Sequence, residues 1–185
     1  IANVMRENEG KKNYIGGGEE SYGFLCEDFV RDKDAVSACV ILAEIAAWAK
    51  DQGLSLYQLL QKIYVEYGFS KEKGISVVKK GKSGAEEIEA MMKKFRENPL
   101  TEIAGSKVTY FYDYSTLKGK DYAENETVTL DMPTTSNVLQ YFTEDNTKVS
   151  IRPSGTEPKI KFYCEVHSKV KSIDCLLYTS DAADD

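Results

Sequence analysis

The chain has 185 residues, with 24 Lys and Arg against 30 Asp and Glu for a formal charge of −6. Hydrophobic residues make up 42% and charged residues 29%, which suits one packed domain or two small ones. This acidic balance excludes a general nucleic-acid binder, which needs a dense basic stripe to displace counterions. It does not exclude a small anion held by a few side chains and backbone N–H groups.

The chain opens at Ile1-Ala2-Asn3-Val4-Met5 in what reads as a helix already under way, with neither an initiator Met nor an N-cap, as in a fragment cut within an element. Asn13 to Phe24 reads as a strand running into a glycine-rich turn. Asp34 to Gln52 is expected to be helical, with Val36, Val40, Ile41, Ile45 and Trp48 on one side and Gly53 at the C-terminal cap. A second helix opens at Ser55 with Gln58 three residues on, a capping box, and Gly68 ends it. Its stripe is Leu56, Leu59, Leu60, Ile63 and Tyr67. Both stripes are expected to be core.

A further capping box, Ser83 with Glu86, is expected to open the next helix, whose buried face is Ile88, Met91, Met92 and Phe95. Lys93, Lys94 and Arg96 suit the negative end of its dipole, and Asn98-Pro99 stops it. A domain boundary is expected there. Beyond it the pattern changes to period two: Lys107–Tyr114, Thr127–Asp131, Asn137–Phe142, Lys148–Arg152 and, most clearly, Pro158–Val166. These predict a half-buried antiparallel sheet. Asp174–Asp185 does not continue the pattern and reads as a translated scar rather than native chain.

Cys26, Cys39, Cys164 and Cys175 form no C-x-x-C pair, so no zinc or redox signature exists. Cys39 and Cys164 fall in apolar patterns and read as reduced core residues, which fits a cytoplasmic setting. No apolar run is long enough to span a bilayer, and the start has no signal-peptide pattern, so no membrane partner is expected.

Three segments carry chemistry. Gly16-Gly17-Gly18-Glu19-Glu20-Ser21-Tyr22-Gly23 places two carboxylates and a hydroxyl after glycines that let the backbone turn tightly. A carboxylate bridging two adjacent hydroxyls is a common way to read a sugar. The bare pattern fits a polar turn with a capping Ser or Glu at least as well. Arg152-Pro153-Ser154-Gly155-Thr156-Glu157-Pro158-Lys159 lies between two strands. Its prolines stiffen both ends, Gly155 lets N–H groups turn inward, Ser154 and Thr156 add hydroxyls, and Arg152 adds a planar fork for phosphate oxygens. That is an anion-binding nest with a charge clamp. Arg31-Asp32-Lys33-Asp34-Ala35, taken alone, is a solvated charge cluster with Asp34 as N-cap.

In this order and spacing, G-E-E-S, R-D-K-D-A and R-P-S-G-T-E-P-K-I-K-F-Y resemble the α-D-phosphohexomutases, the family of bacterial phosphoglucomutases and phosphomannomutases. The resemblance covers Ile1 to about Ser172. It implies an α/β plus α+β chain: residues 1–98 as the later part of the family's third domain, 99–173 as a truncated fourth domain with an antiparallel sheet and helices, and 174–185 as a non-native tail. It implies that Glu19 and Ser21 hydrogen-bond sugar hydroxyls, with Glu20 in the same loop. Arg152, Ser154, Gly155 and Thr156 would hold the phosphate that is not being transferred, and Lys33 would stand near the reacting phosphate and serve proton transfer. Neither the family's phosphoserine context nor its aspartate-glycine metal loop occurs in these residues. The implied activity is interconversion of glucose 1-phosphate and glucose 6-phosphate through a phosphoserine and glucose 1,6-bisphosphate, with Mg2+ bound by preceding domains of the same chain. This piece alone is expected to be inactive. A sister mutase acting on mannose or aminosugar phosphates, and a non-catalytic phosphosugar-binding module, are the alternatives.

Overall fold

The computed structural model describes residues 2–18, 23–28 and 31–176. Contacts divide the chain into two compact units at Gly68: Ile1–Tyr67 with Lys171–Asp185, and Gly68–Val170.

In the first unit, helix α1 (Ala2–Asn8) precedes a short antiparallel hairpin of β1 (Gly16–Gly18) and β2 (Phe24–Cys26). The strand expected to run into the glycine-rich turn is the three-residue β1, and β2 pairs back onto it. Helix α2 (Ala35–Asp51) starts where Asp34 accepts hydrogen bonds from the N–H groups of Val36 and Ser37 at 3.0 and 3.1 Å. These bonds hold the Asp34 carboxyl below its ordinary range. Helix α3 (Leu56–Tyr67) is closed by the expected capping box: Ser55 N–H donates to Gln58 Oε1 at 2.8 Å and Gln58 N–H to Ser55 Oγ at 3.2 Å.

The apolar stripes of these two helices are not core. Val36 is 73% exposed and Trp48 55%, and Ile45, Leu56, Leu60 and Ile63 are exposed as well. Cys39, expected in the core, is also exposed. The physical reason is local. A helix buries its stripe only against another layer, and among the described elements the main neighbours of α2 are the short β2 and α3. Residues 173–176 are helical, and Leu176 is buried, so the described start of the expected tail packs.

The second unit is a sheet covered by one helix. Strand β3 (Phe69–Val78) leads into α4 (Gly81–Glu97), followed by β4 (Glu102–Ile103), β5 (Ser106–Asp113), β6 (Lys118–Asp121), β7 (Glu126–Thr129), β8 (Leu139–Thr143), β9 (Lys148–Pro153) and β10 (Lys159–Ser168). The order across the sheet is β3-β10-β9-β8-β5-β6-β7, with β4 on β5, and every pair is antiparallel. β3 pairs with β10 over ten residues, from Phe69 opposite Ser168 to Val78 opposite Lys159. That ladder places β3 and α4 with the sheet, so the break falls at Gly68 and not at the expected Asn98.

Alternation along the strands sends Val149 and Ile151, Leu139 and Tyr141, and Ile160 and Phe162 to one face, where Ile88 and Met92 of α4 close the core. Phe95 and Phe162 meet edge to face with centroids 6.2 Å apart. α4 is not opened by Ser83. Its N-cap is Lys80, which makes no side-chain capping bond, and Ser83 lies inside the first turn.

At the other end of α4, Arg96 Nε donates to Asp113 Oδ2 at 3.1 Å, and its guanidinium also meets Asn137 Oδ1. Asp113 Oδ1 accepts from the N–H and Oγ of Ser115 at 2.9 and 2.7 Å. Tyr141 donates to the Phe95 carbonyl at 3.0 Å, and burial pushes its phenol up to about 12. These bonds pin the helix to the sheet. Removing the carboxylate leaves a mostly buried guanidinium without its counter-charge, with Asn137 Oδ1 as its remaining acceptor. Asp113→Ala is therefore expected to cost about 2 kcal/mol, below the full price of a deeply buried pair because Arg96 keeps some solvent. Urea denaturation checks it, and a change below about 0.5 kcal/mol would put the pair in the class of surface bridges.

Candidate functional site

The segment Arg152–Lys159 is the connection from β9 to β10, so two paired strands deliver both of its ends. Ile160 faces Pro153 and Lys161 faces Arg152 in the ladder. The Ser154 N–H donates to the Lys159 carbonyl at 2.8 Å, the last rung before the loop opens. Within the loop the N–H groups of Thr156 and Glu157 converge on Ser154 Oγ at 3.4 and 3.3 Å. Both bonds are long, so the hydroxyl satisfies these donors weakly. A phosphate oxygen in its place is a far stronger acceptor. Gly155 does not have a left-handed backbone, and a Cβ there would meet nothing within 4 Å. Ser154 Oγ is the acceptor on which the Thr156 and Glu157 N–H groups converge.

Charge is arranged to match. Glu157, the loop's carboxylate, is paired with Lys159, whose hydrogen bond and then charge hold it below its ordinary range. No hydrogen bond or ion pair occupies the Arg152 guanidinium among the described residues. Directly opposed residues of an antiparallel pair share a face, so Lys161 stands beside Arg152 and adds a second cation. Lys161 lies within the R-P-S-G-T-E-P-K-I-K-F-Y stretch but beyond the loop itself, and only the ladder register shows that it shares a face with Arg152.

Further along the same face, Lys148 Nζ meets Glu165 Oε2 at 2.6 Å and His167 Nε2 meets Glu165 Oε1 at 2.7 Å. Its carboxylate is thereby kept engaged and away from the anion loop. Burial raises the Glu165 carboxyl, but the bonds from Lys148 and His167 together outweigh it and hold the group below the ordinary value of 4.5.

Lys33 belongs to the first unit and is exposed, with its N–H donating to Asp32 Oδ1 at 2.8 Å. Glu19, Glu20 and Ser21 lie outside the described residues. The structure thus brings together Arg152, Ser154, Gly155 and Thr156. A cavity of about 230 Å3 in the first unit, lined by Met5, Glu9, Tyr14, Asp28 and Arg31 among others, holds none of the expected site residues. Arg31 there is paired with Glu9 at 2.6 Å. Among the described residues there is no group of three or more His, Cys, Asp or Glu that could hold a metal ion. No helix among them is long and apolar enough to cross a membrane.

Comparison with known proteins bears on the same segments. A family model described as phosphoglucomutase/phosphomannomutase, alpha/beta/alpha domain III, matches residues 1–67, and one described as the phosphoglucomutase/phosphomannomutase C-terminal domain matches residues 75–174. The chain is 37% identical over 167 residues to a phosphoglucomutase of Staphylococcus haemolyticus, covering 90% of this chain and 30% of that protein. It is 39% identical over 163 residues to one from Staphylococcus aureus, covering 88% and 29%. The chain therefore spans about 30% of the length of these relatives. Among solved structures, the open form of the exocytosis-sensitive phosphoprotein pp63/parafusin from Paramecium shares the fold, with a TM-score of 0.50 at 17% identity over 85% of this chain and 26% of that one.

The Glu165 pairing has a pH consequence. A carboxyl whose folded pKa is depressed contributes stability above its unfolded pKa, and that contribution is lost as pH falls through the folded value. Glu165→Gln should therefore flatten the loss of stability between about pH 5 and pH 3 relative to the parent chain. Urea midpoints at the two pH values measure it, and parallel losses in both chains would contradict the pairing.

Proposed function

This chain belongs to the phosphoglucomutase/phosphomannomutase family, and from that premise we propose that it supplies sugar-phosphate binding to a mutase interconverting glucose 1-phosphate and glucose 6-phosphate. The observation that carries the proposal is the β9–β10 loop. Two backbone N–H groups converge weakly on a hydroxyl, an uncommitted guanidinium and Lys161 stand on the adjoining face, and the loop's own carboxylate is already paired.

In this proposal Arg152, Ser154, Gly155 and Thr156 grip the phosphate at the end of the sugar that is not reacting. A mutase that works through a bisphosphate must accept its substrate in two opposite orientations. A nest of backbone donors suits that task, because it recognises phosphate and is indifferent to which sugar carbon bears it. Binding energy from this remote phosphate then positions the reacting end. Glu19 and Ser21 are proposed to accept and donate hydrogen bonds to sugar hydroxyls, with Glu20 in the same segment, and Lys33 to move a proton near the reacting phosphate. The exposed stripes of α2 and α3 are proposed to pack against further strands of the alpha/beta/alpha domain in a longer protein. Phosphoryl transfer itself, with magnesium and a phosphoserine primed by glucose 1,6-bisphosphate, would fall to other parts of that protein.

Two measurements test this. Isothermal titration of the chain with glucose 6-phosphate should show binding that Arg152→Ala weakens by about 1.5–3 kcal/mol, the worth of hydrogen bonds to a charged group. Equal affinity in the variant would remove Arg152 from the site. In a coupled assay with magnesium and bisphosphate primer, the chain by itself should give no turnover, since phosphoryl transfer needs an in-line nucleophile and charge neutralisation at the reacting group. Turnover above buffer would place the catalytic group within these residues.

A further inference from the structure

We propose that Gly84, in the first turn of α4, is a positioning residue for the phosphate loop and acts through the backbone of Lys79; the inference rests on the phosphate-binding role proposed above. The chain leaves β3 at Val78 and enters α4 at Gly81, which takes a φ of +75°. Between them the backbone folds back over the helix so closely that a Cβ on residue 84 would sit 2.6 Å from the Lys79 carbonyl carbon and 2.7 Å from its oxygen. Those are backbone atoms and cannot swing aside as a flexible side chain would. Gly84 is buried, so the helix cannot simply rotate the new methyl into solvent.

The residue held in this way touches the loop. Lys79 N–H donates to the Pro158 carbonyl at 2.8 Å, one step beyond the last β3–β10 rung, Val78 opposite Lys159. Pro158 is the stiff exit of the loop and has no N–H of its own, so its carbonyl is the means by which this end of the loop is tied down. The entry is tied by Ser154 N–H to the Lys159 carbonyl at 2.8 Å. With both ends fixed, the spacing of the Thr156 and Glu157 donors is fixed. A second bond, Lys79 Nζ to Glu87 Oε2 at 2.9 Å, ties the same residue to the next turn of α4. Helix, turn and loop thus form one chain of close contacts: Gly84 against Lys79, and Lys79 against Pro158. A larger residue at 84 displaces Lys79, stretches its bond to Pro158 and widens the nest.

The test separates positioning from plain stability. Binding of inorganic phosphate to the 185-residue chain is measured by titration for the parent and for Gly84→Ala, Lys79→Pro, Gly119→Ala and Arg152→Ala, with the folded fraction checked by circular dichroism. Lys79→Pro deletes the N–H donor, together with the Lys79–Glu87 pair, while residue 84 stays glycine, and the preceding Val78 is already extended, as a residue before proline prefers. It carries the test if Gly84→Ala does not fold. Gly119→Ala is the stability control: a Cβ there would sit 2.8 Å from the Phe111 carbonyl oxygen, but on β6, four places from β10 in the sheet. Gly84→Ala and Lys79→Pro should each raise the Kd about fivefold, the worth of one neutral hydrogen bond, and Gly119→Ala should leave it unchanged. If Arg152→Ala loses binding while both Gly84→Ala and Lys79→Pro bind like the parent, the inference fails and the phosphate site stands. If Gly119→Ala weakens binding as much as they do, the effect is general destabilisation and the inference fails. If the parent does not bind phosphate, or Arg152→Ala binds it equally well, the phosphate role falls and takes the inference with it.

Discussion

The ladder of ten residues between β3 and β10 is the constraint on which the second unit depends. β10 is flanked by β3 on one side and β9 on the other, so it is fixed on both edges. The proposed phosphate loop is the link from β9 to β10, and its exit is tied to the residue that follows β3. Without β3, β10 would be an edge strand held on one side only, by β9, and the exit of the loop would lose its tie. With β3 in place, the apolar face of β10 is held over the core, where Ile160 is fully buried against Ile151 and the helix, and its polar face presents Lys161 beside Arg152. One pairing therefore sets both the core and the position of the cations.

This explains what could be read from the sequence and what could not. Local chemistry was legible. The Ser55–Gln58 capping box, the Asp34 cap, the buried face of α4 and the alternation of β10 all depend on neighbours within four residues. The turn between β9 and β10 was legible for the same reason, because its hydroxyls and stiffening prolines are consecutive. β3 was not. Its sequence, Phe69-Ser70-Lys71-Glu72-Lys73-Gly74-Ile75-Ser76-Val77-Val78, has a central glycine and a run of charges, as suits an edge strand that must resist further pairing. It is a strand because of β10, some ninety residues away. β6, Lys118-Gly119-Lys120-Asp121, is likewise made by its partners and has little propensity of its own.

The misplaced boundary follows from that omission: with β3 unseen, α4 looked like the last helix of the preceding domain. Burial of the α2 and α3 stripes was misjudged for a different reason. Periodicity reveals which side of a helix is apolar, but not whether a layer is present to cover it. In the described residues no such layer lies over Val36 or Trp48. The same distinction separates the two halves of the proposed site. The proposed phosphate loop is built from adjacent strands of one unit, whereas Lys33 sits before a helix whose apolar face is open.

Amide chemical shifts of the 185-residue chain, followed by NMR as glucose 6-phosphate is added, test the central claim most directly. The account predicts saturable shifts concentrated at Ser154, Gly155, Thr156 and Glu157, with smaller ones at Lys79 and Lys161. Saturable shifts elsewhere, with these six amides unmoved, would contradict it.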